Sequence, residues 1–129
     1  MKLNRILASS AVVMAAVFMI TPAASAAGDP EAGQKVFRKC ATCHEVKTTR
    51  NKVGPHLVGI FGRPAGALED FKYSDAMANA DIVWNEETIG AYVKNPKTYI
   101  EGNRMIFVGL KNDTEVADLI AYLKEATAQ

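Results

Sequence analysis

An all-α fold, short helices joined by long loops, is what this 129-residue chain predicts. Three observations predict it. The C-terminal segment places Val116, Leu119, Ile120 and Leu123 at i, i+3, i+4 and i+7, the apolar stripe of an amphipathic helix. Near the other end, Asp29-Pro30-Glu31 is a helix start: an N-cap, a proline at the first helical position and an acid placed well for the helix dipole. Between the two no period-two apolar alternation occurs, no internal repeat and no low-complexity tract, so no strand is predicted.

The first 26 residues stand apart. Lys2 and Arg5 precede a mostly apolar run over residues 6–20, followed by Thr21-Pro22 and the small residues Ala23-Ala24-Ser25-Ala26. This is the pattern of a secretory signal peptide, with Ala24-x-Ala26 meeting the small-residue rule for cleavage. The apolar run falls short of the roughly 20 residues a membrane-spanning helix needs. The expected organisation is therefore a signal peptide at 1–26 and one domain at 27–129, with periplasmic delivery. The leader takes two of the 15 basic side chains and none of the 14 acidic ones, so the mature formal charge moves from +1 to −1. A near-neutral balance gives no reason to expect nucleic acid as a partner.

Taken in order, the first helix is expected from residue 30 to about 39, with Ala32, Val36, Phe37 and then Cys40 on its inner face. Residues 47–66 are rich in Gly, Pro, Thr, Asn and Lys and predict a loop. A loop that long in a small domain usually wraps something. Short helices are expected at about 74–79, at 86–94 after Asn85 as cap, and at 96–100, with Trp84 between the first two. Asn112-x-x-Glu115 resembles a capping box for the C-terminal helix, whose stripe has the N-terminal helix as its natural partner.

The chemistry is concentrated in Cys40-Ala41-Thr42-Cys43-His44, a C-x-x-C-H pentad. That spacing lets two thiols bond one haem covalently while the adjacent imidazole reaches its iron, and both cysteines of the chain are used. Three other readings compete. A dithiol redox motif belongs at a helix start after a buried strand, and no such strand precedes Cys40. Zinc could draw on Cys40, Cys43, His44 and His56, although structural zinc favours separated ligand pairs. A plain disulfide would be strained and would leave His44 without a role. A covalent haem also supplies an apolar plate on which so small a domain can build its core.

A haem held by His44 has a second axial position, usually filled by Met or His in electron-transfer proteins. The candidates are Met77, Met105 and His56. Met105 lies in a Gly-containing loop, Gly102-Asn103-Arg104-Met105-Ile106-Phe107, just before the last helix. His56 has no assigned role beyond loop surface.

Residues Asn95-Pro96-Lys97-Thr98-Tyr99-Ile100, Gly102, Met105-Ile106-Phe107 and the ending Ala117-Asp118-Leu119-Ile120-Ala121-Tyr122-Leu123-Lys124 resemble the C-terminal half of a class I c-type cytochrome. The likeness is to the mitochondrial branch and its secreted, cytochrome c2-like bacterial relatives. It extends through Gly54-Pro55, Gly62-Arg63, Tyr73-Ser74-Asp75-Ala76 and Trp84, and so covers essentially all of residues 28–126. The resemblance implies a small cytochrome c fold, with the terminal helices packed together and short helices and loops wrapped around one haem c. It implies thioether bonds to Cys40 and Cys43, His44 as proximal ligand and Met105 as distal ligand. It also implies the Pro55 carbonyl as partner of the ligating imidazole's other nitrogen. Arg63, Tyr73 and Trp84 match residues that bond the haem propionates, and Tyr92 matches the tyrosine beside the Met sulfur.

Three positions depart from the family pattern. Glu101 stands where Pro is usual, which removes a fixed φ and predicts a loop that opens more easily. Met77 stands where Asn is common. Asn103 replaces Thr and keeps the ability to hydrogen-bond near the cofactor.

The resulting expectation is a monomeric, soluble periplasmic carrier, not an enzyme, cycling haem iron between Fe(II) and Fe(III). Its implied partners are membrane-bound redox complexes, such as a bc1-type donor and an oxidase or photosynthetic reaction centre as acceptor. Docking in this family uses cations around the haem edge, here Lys39, Lys97, Arg104 and Lys111, while Thr98 and Asn112 lack the charge often found. A haem enzyme or gas sensor with a labile distal Met is the alternative.

Overall fold

Helix α1, Pro30–Phe37, starts as its sequence predicts, with the Asp29 carboxylate accepting from the amides of Glu31 at 2.8 Å and Ala32 at 3.3 Å. The computed structural model describes residues 27–128, and the expected signal peptide lies outside the described residues. The α-helix stops at Phe37, two residues before the expected end. From there the chain tightens: the amides of Arg38, Lys39 and Cys40 bond carbonyls three residues back. This tighter turn has the 3₁₀ pattern and carries the helical rotation directly into the pentad.

Two of the three short helices start at side-chain caps, and the third starts at a proline. Helix α2, Asp75–Ala78, is capped by Ser74, whose hydroxyl accepts the Met77 amide at 3.1 Å. Helix α3, Glu86–Lys94, has the complete reciprocal box: Asn85 Oδ1 accepts the Thr88 amide at 2.9 Å, and Thr88 Oγ1 accepts the Asn85 amide at 2.8 Å. Helix α4 is Pro96–Tyr99. Among the described residues there is no named strand, only one isolated antiparallel bridge between Pro64 and Val83. No helix among them is long and apolar enough to cross a membrane.

The last helix, α5, spans Asp113–Ala126. Asn112 caps it as expected, accepting from the amides of Thr114 at 2.8 Å and Glu115 at 3.3 Å. The other half of the expected box is absent. Glu115 instead accepts Lys39 Nζ at 3.0 Å, because the turn after α1 delivers that ammonium beside it. Asn112→Ala is expected to cost about 1 kcal/mol, the usual value of a lost cap, measured as a shift in the denaturant midpoint at unchanged m-value.

Helices α1 and α5 form the main packing contact. Val36 and Phe37 of α1 and Val116, Leu119, Ile120 and Leu123 of α5 are all buried, Leu119 to 1% exposure. The Phe37 ring lies tilted on Tyr122 with centroids 5.4 Å apart. Gly33 permits the approach: a Cβ there would lie 1.9 Å from the Asp118 carbonyl oxygen. Asp118 also reaches back, its Oδ1 accepting the Asp29 amide at 2.7 Å. Helix α3 is tied to α5 by Lys124–Glu86 at 2.5 Å and Lys94–Asp113 at 2.7 Å. Both pairs are exposed, so each contributes at most about 1 kcal/mol.

Candidate haem centre

The turn after α1 folds the pentad into a single knot, with the amides of Cys43 and His44 both bonded to the Cys40 carbonyl, at 3.0 and 2.9 Å. Cys40 and Cys43 are half-buried free thiols. Burial pushes the Cys40 thiol up to about 11, and its place beyond the C-terminal end of α1 puts it near the negative pole of that helix. A redox dithiol needs the opposite surroundings, which favour thiolate. Among the described residues no three His, Cys, Asp or Glu side chains converge as metal ligands, so the zinc reading has no ligand set.

His44 is oriented from one side. Its Nδ1 donates to the Pro55 carbonyl at 2.7 Å, which leaves Nε2 as the lone-pair nitrogen able to bind a metal. Gly54 makes room for the ring, since a Cβ there would come within 2.4 Å of His44 Cε1. Burial holds the imidazole below its ordinary pKa and therefore neutral. The loop is pinned to the pentad: Gly54 N–H donates to the Cys43 carbonyl at 2.8 Å, Leu57 N–H to the Glu45 carbonyl at 2.7 Å, and Lys52 Nζ to the Ala41 carbonyl. The role of Lys52 escaped the sequence reading, because a lysine in a loop carries no signal of which carbonyl it will meet.

Met105 is half-buried and packed against the core. Its amide donates to Asn103 Oδ1 at 2.9 Å, and the Tyr92 hydroxyl donates to the same oxygen at 3.2 Å. Asn103 Nδ2 donates to the carbonyls of Pro96 and Ile100, both at 2.7 Å. Tyr92 is buried, which pushes its hydroxyl up to about 12 and keeps it a donor. Its ring packs on Trp84 with centroids 5.2 Å apart.

The Pro64–Val83 bridge brings two of the expected propionate partners together. Arg63 and Trp84 are adjacent across it, the Trp84 amide donating to the Arg63 carbonyl at 2.9 Å. The Arg63 guanidinium donates to the carbonyls of His56 at 2.7 Å and Val58 at 3.3 Å. Tyr73 is half-buried and packs edge-on against Phe71 at 4.9 Å; burial raises its hydroxyl pKa, and Arg63 opposes that shift. Met77 is half-buried on α2.

His56 departs from its expected place on the loop surface. It is 7% exposed, and its Nδ1 has no hydrogen-bond partner among the described residues. The loop turns inward there because Asn51 Oδ1 accepts the His56 amide at 3.0 Å while Asn51 Nδ2 donates to the Asp70 carbonyl at 3.3 Å. Asn51, which joins two stretches of loop, was not singled out by any sequence pattern.

These residues fit a covalently held haem. Two free thiols lie in the same turn as a neutral imidazole whose free nitrogen is Nε2, and a thioether is held by a hydrogen-bonded loop. Leu57, Phe61, Met77, Ile82, Met105 and Phe107 pack on the core yet keep part of their apolar surface uncovered. Comparison with known proteins agrees. The family model described as cytochrome c matches residues 30–127. The chain is 45% identical over 113 residues to cytochrome c2 of Blastochloris viridis, covering 87% of this chain and 89% of the relative. It is 50% identical over 112 residues to cytochrome c of Chlamydomonas reinhardtii, covering 85% of this chain and all of the relative. With cytochrome c of Ginkgo biloba the identity is 48% over 104 residues, covering 79% and 92%.

The chain belongs to the cytochrome c family. Its fold is the small all-α fold of that family, and its cofactor is one covalent haem c, for which Cys40 and Cys43 are present as free thiols. This cytochrome is an electron carrier, not an enzyme.

Proposed function

We propose that this cytochrome is exported through its signal peptide and works as a soluble periplasmic one-electron carrier with His44 and Met105 as axial ligands. The observation that carries the reading is the pairing of His44 Nδ1 with the Pro55 carbonyl at 2.7 Å, which leaves the Nε2 lone pair free to bind a metal. The bacterial relative named cytochrome c2 supports the periplasmic address.

Haem, when bound, supplies the one-electron Fe(II)/Fe(III) couple. The protein supplies everything around it. Cys40 and Cys43 would hold the group by thioether bonds, and Arg63, Tyr73 and Trp84 would receive its propionates, where a carboxylate needs donors or charge. Neutral His and Met ligands in an apolar shell disfavour the extra positive charge of the oxidised state and raise the potential. No side chain has to take up or release a proton in the transfer.

Partners are membrane-bound redox complexes, a bc1-type donor and an oxidase or reaction-centre acceptor, met through a basic front. Lys39, Lys97, Arg104 and Lys111 supply it, although their charges are not equally free. Lys39 is paired with Glu115, whereas among the described residues Arg104 and Lys111 donate to the carbonyls of Lys72 and Lys94 and pair with no carboxylate. Ile106, at 102% exposure, and Val108 add exposed apolar surface in the segment between Arg104 and Lys111. The association rate with an acidic partner is expected to fall steeply as ionic strength rises; stopped-flow rates that stay flat between low and physiological salt would reject steering.

The visible spectrum of the reduced, exported protein with and without carbon monoxide tests the ligation. A covalently attached haem whose spectrum carbon monoxide leaves unchanged has its sixth position closed by a protein ligand, and the same test on Met105→Ala shows whether that ligand is Met105. A rapid shift would mean an open site and would remove the His/Met carrier reading.

A further inference from the structure

Apart from Arg104, whose guanidinium donates to the Lys72 carbonyl at 3.2 Å, the loop that presents Met105 has little to hold it. Glu101 is exposed and does not restrict φ as a proline would, and Ile106 and Val108 project into solvent. From Met105 to Gly109 the run forms neither helix nor strand; the Phe107 amide donates to the Met105 carbonyl at 3.2 Å, and the next backbone bond to a distant residue is at Leu110, whose amide donates to the Val93 carbonyl at 2.8 Å. Yet the residue two before Met105 is the most heavily bonded side chain in the region.

We propose that Asn103 is a positioning residue that latches the Met105 loop to α3 and α4, and that it does so instead of contacting the cofactor. A primary amide has two N–H donors and one oxygen with two lone pairs. All four capacities of Asn103 are used inside the protein: Nδ2 to the Pro96 and Ile100 carbonyls, Oδ1 from the Met105 amide and the Tyr92 hydroxyl. The partners also settle which way the amide points, since two carbonyls face one end and two donors the other. Nothing is left over for a haem propionate. Threonine, with one hydroxyl donor, cannot bond both carbonyls, so asparagine offers a broader grip where Glu101 gives the backbone freedom. The latch therefore decides how often Met105 leaves its place, and with it whether the protein behaves as a closed carrier or an open haem.

The inference rests on the reading of Met105 as the distal ligand, and its test separates the two. Holoprotein is prepared as wild type, Asn103→Ala, Asn103→Thr and Ile120→Val, the last a destabilising change in α5 remote from the loop in sequence and bonding. Two quantities are followed: carbon monoxide binding by the reduced protein, and hydrogen exchange at the Met105 amide. In Asn103→Ala both are expected to rise about tenfold or more, the factor that one or two lost net hydrogen bonds imply. Asn103→Thr should fall between, and it carries the test if the alanine variant fails to mature. Ile120→Val should lower the melting temperature without moving either readout. Unchanged exchange and binding in both Asn103 variants, or equal rises in Ile120→Val, would overturn the latch. Carbon monoxide binding at once to the wild type would instead remove Met105 as ligand, and the amide exchange would still judge the latch on its own.

Discussion

Met105→Ala is expected to turn a closed six-coordinate haem into one that binds carbon monoxide stoichiometrically in the reduced state. The reduction potential should fall on the order of 100 mV or more, part of the roughly 0.8 V that axial ligands span. A thioether favours the ferrous state, and its replacement by water or an open site removes that preference. The fold should survive, because Met105 is half-buried and outside the α1–α5 contact. Potentiometric titration and the carbon monoxide difference spectrum measure the two effects. An unchanged potential with no new ligand binding would place another group on the iron.

The second large effect is structural. Gly33→Ala should destabilise the folded protein by about 3 kcal/mol or more, at the upper end of what overpacking costs. Helix propensity alone would favour alanine over glycine by roughly 1 kcal/mol, so any loss comes from the contact. The new methyl would start 1.9 Å from the Asp118 carbonyl oxygen and 2.8 Å from Tyr122 Cβ. Backbone cannot rotate away as a flexible side chain would, so α1 has to lift off α5, uncovering Phe37 and Leu119. Gln34→Ala, one residue on and exposed, is the control and should stay within about 0.5 kcal/mol of wild type. Equal denaturant midpoints for Gly33→Ala and wild type would contradict the close crossing.

Glu101 by itself predicts a loose loop, since a fixed φ is gone. The structure supplies the counterweight two residues later, in the four bonds of Asn103. A substitution that loosens a backbone and one that tightens it are separate signals in the sequence; only their partners reveal that they act on one loop.

What the sequence determined by itself was local or chemical. The pentad states its chemistry through covalent spacing, and the starts of α1, α3 and α5 are written in a side chain two or three residues from the amides it caps: Asp29, Asn85, Asn112. The stripe at Val116, Leu119, Ile120 and Leu123 is likewise a property of a 3.6-residue period. Resemblance to the family extended this to the Pro55 carbonyl and to Met105. Tertiary structure decided what depends on atoms far apart in the chain. Glu115 left its expected box for Lys39, 76 residues away, and His56, expected on the loop surface, is buried with Nδ1 unpartnered among the described residues because Asn51 draws its amide inward. Gly33 matters because of a carbonyl at Asp118. The physical reason is common to all three: a hydrogen bond or a close contact depends on position to within an ångström, and that position is set by how α1, α5 and the loops pack, not by the residue's own neighbours in sequence.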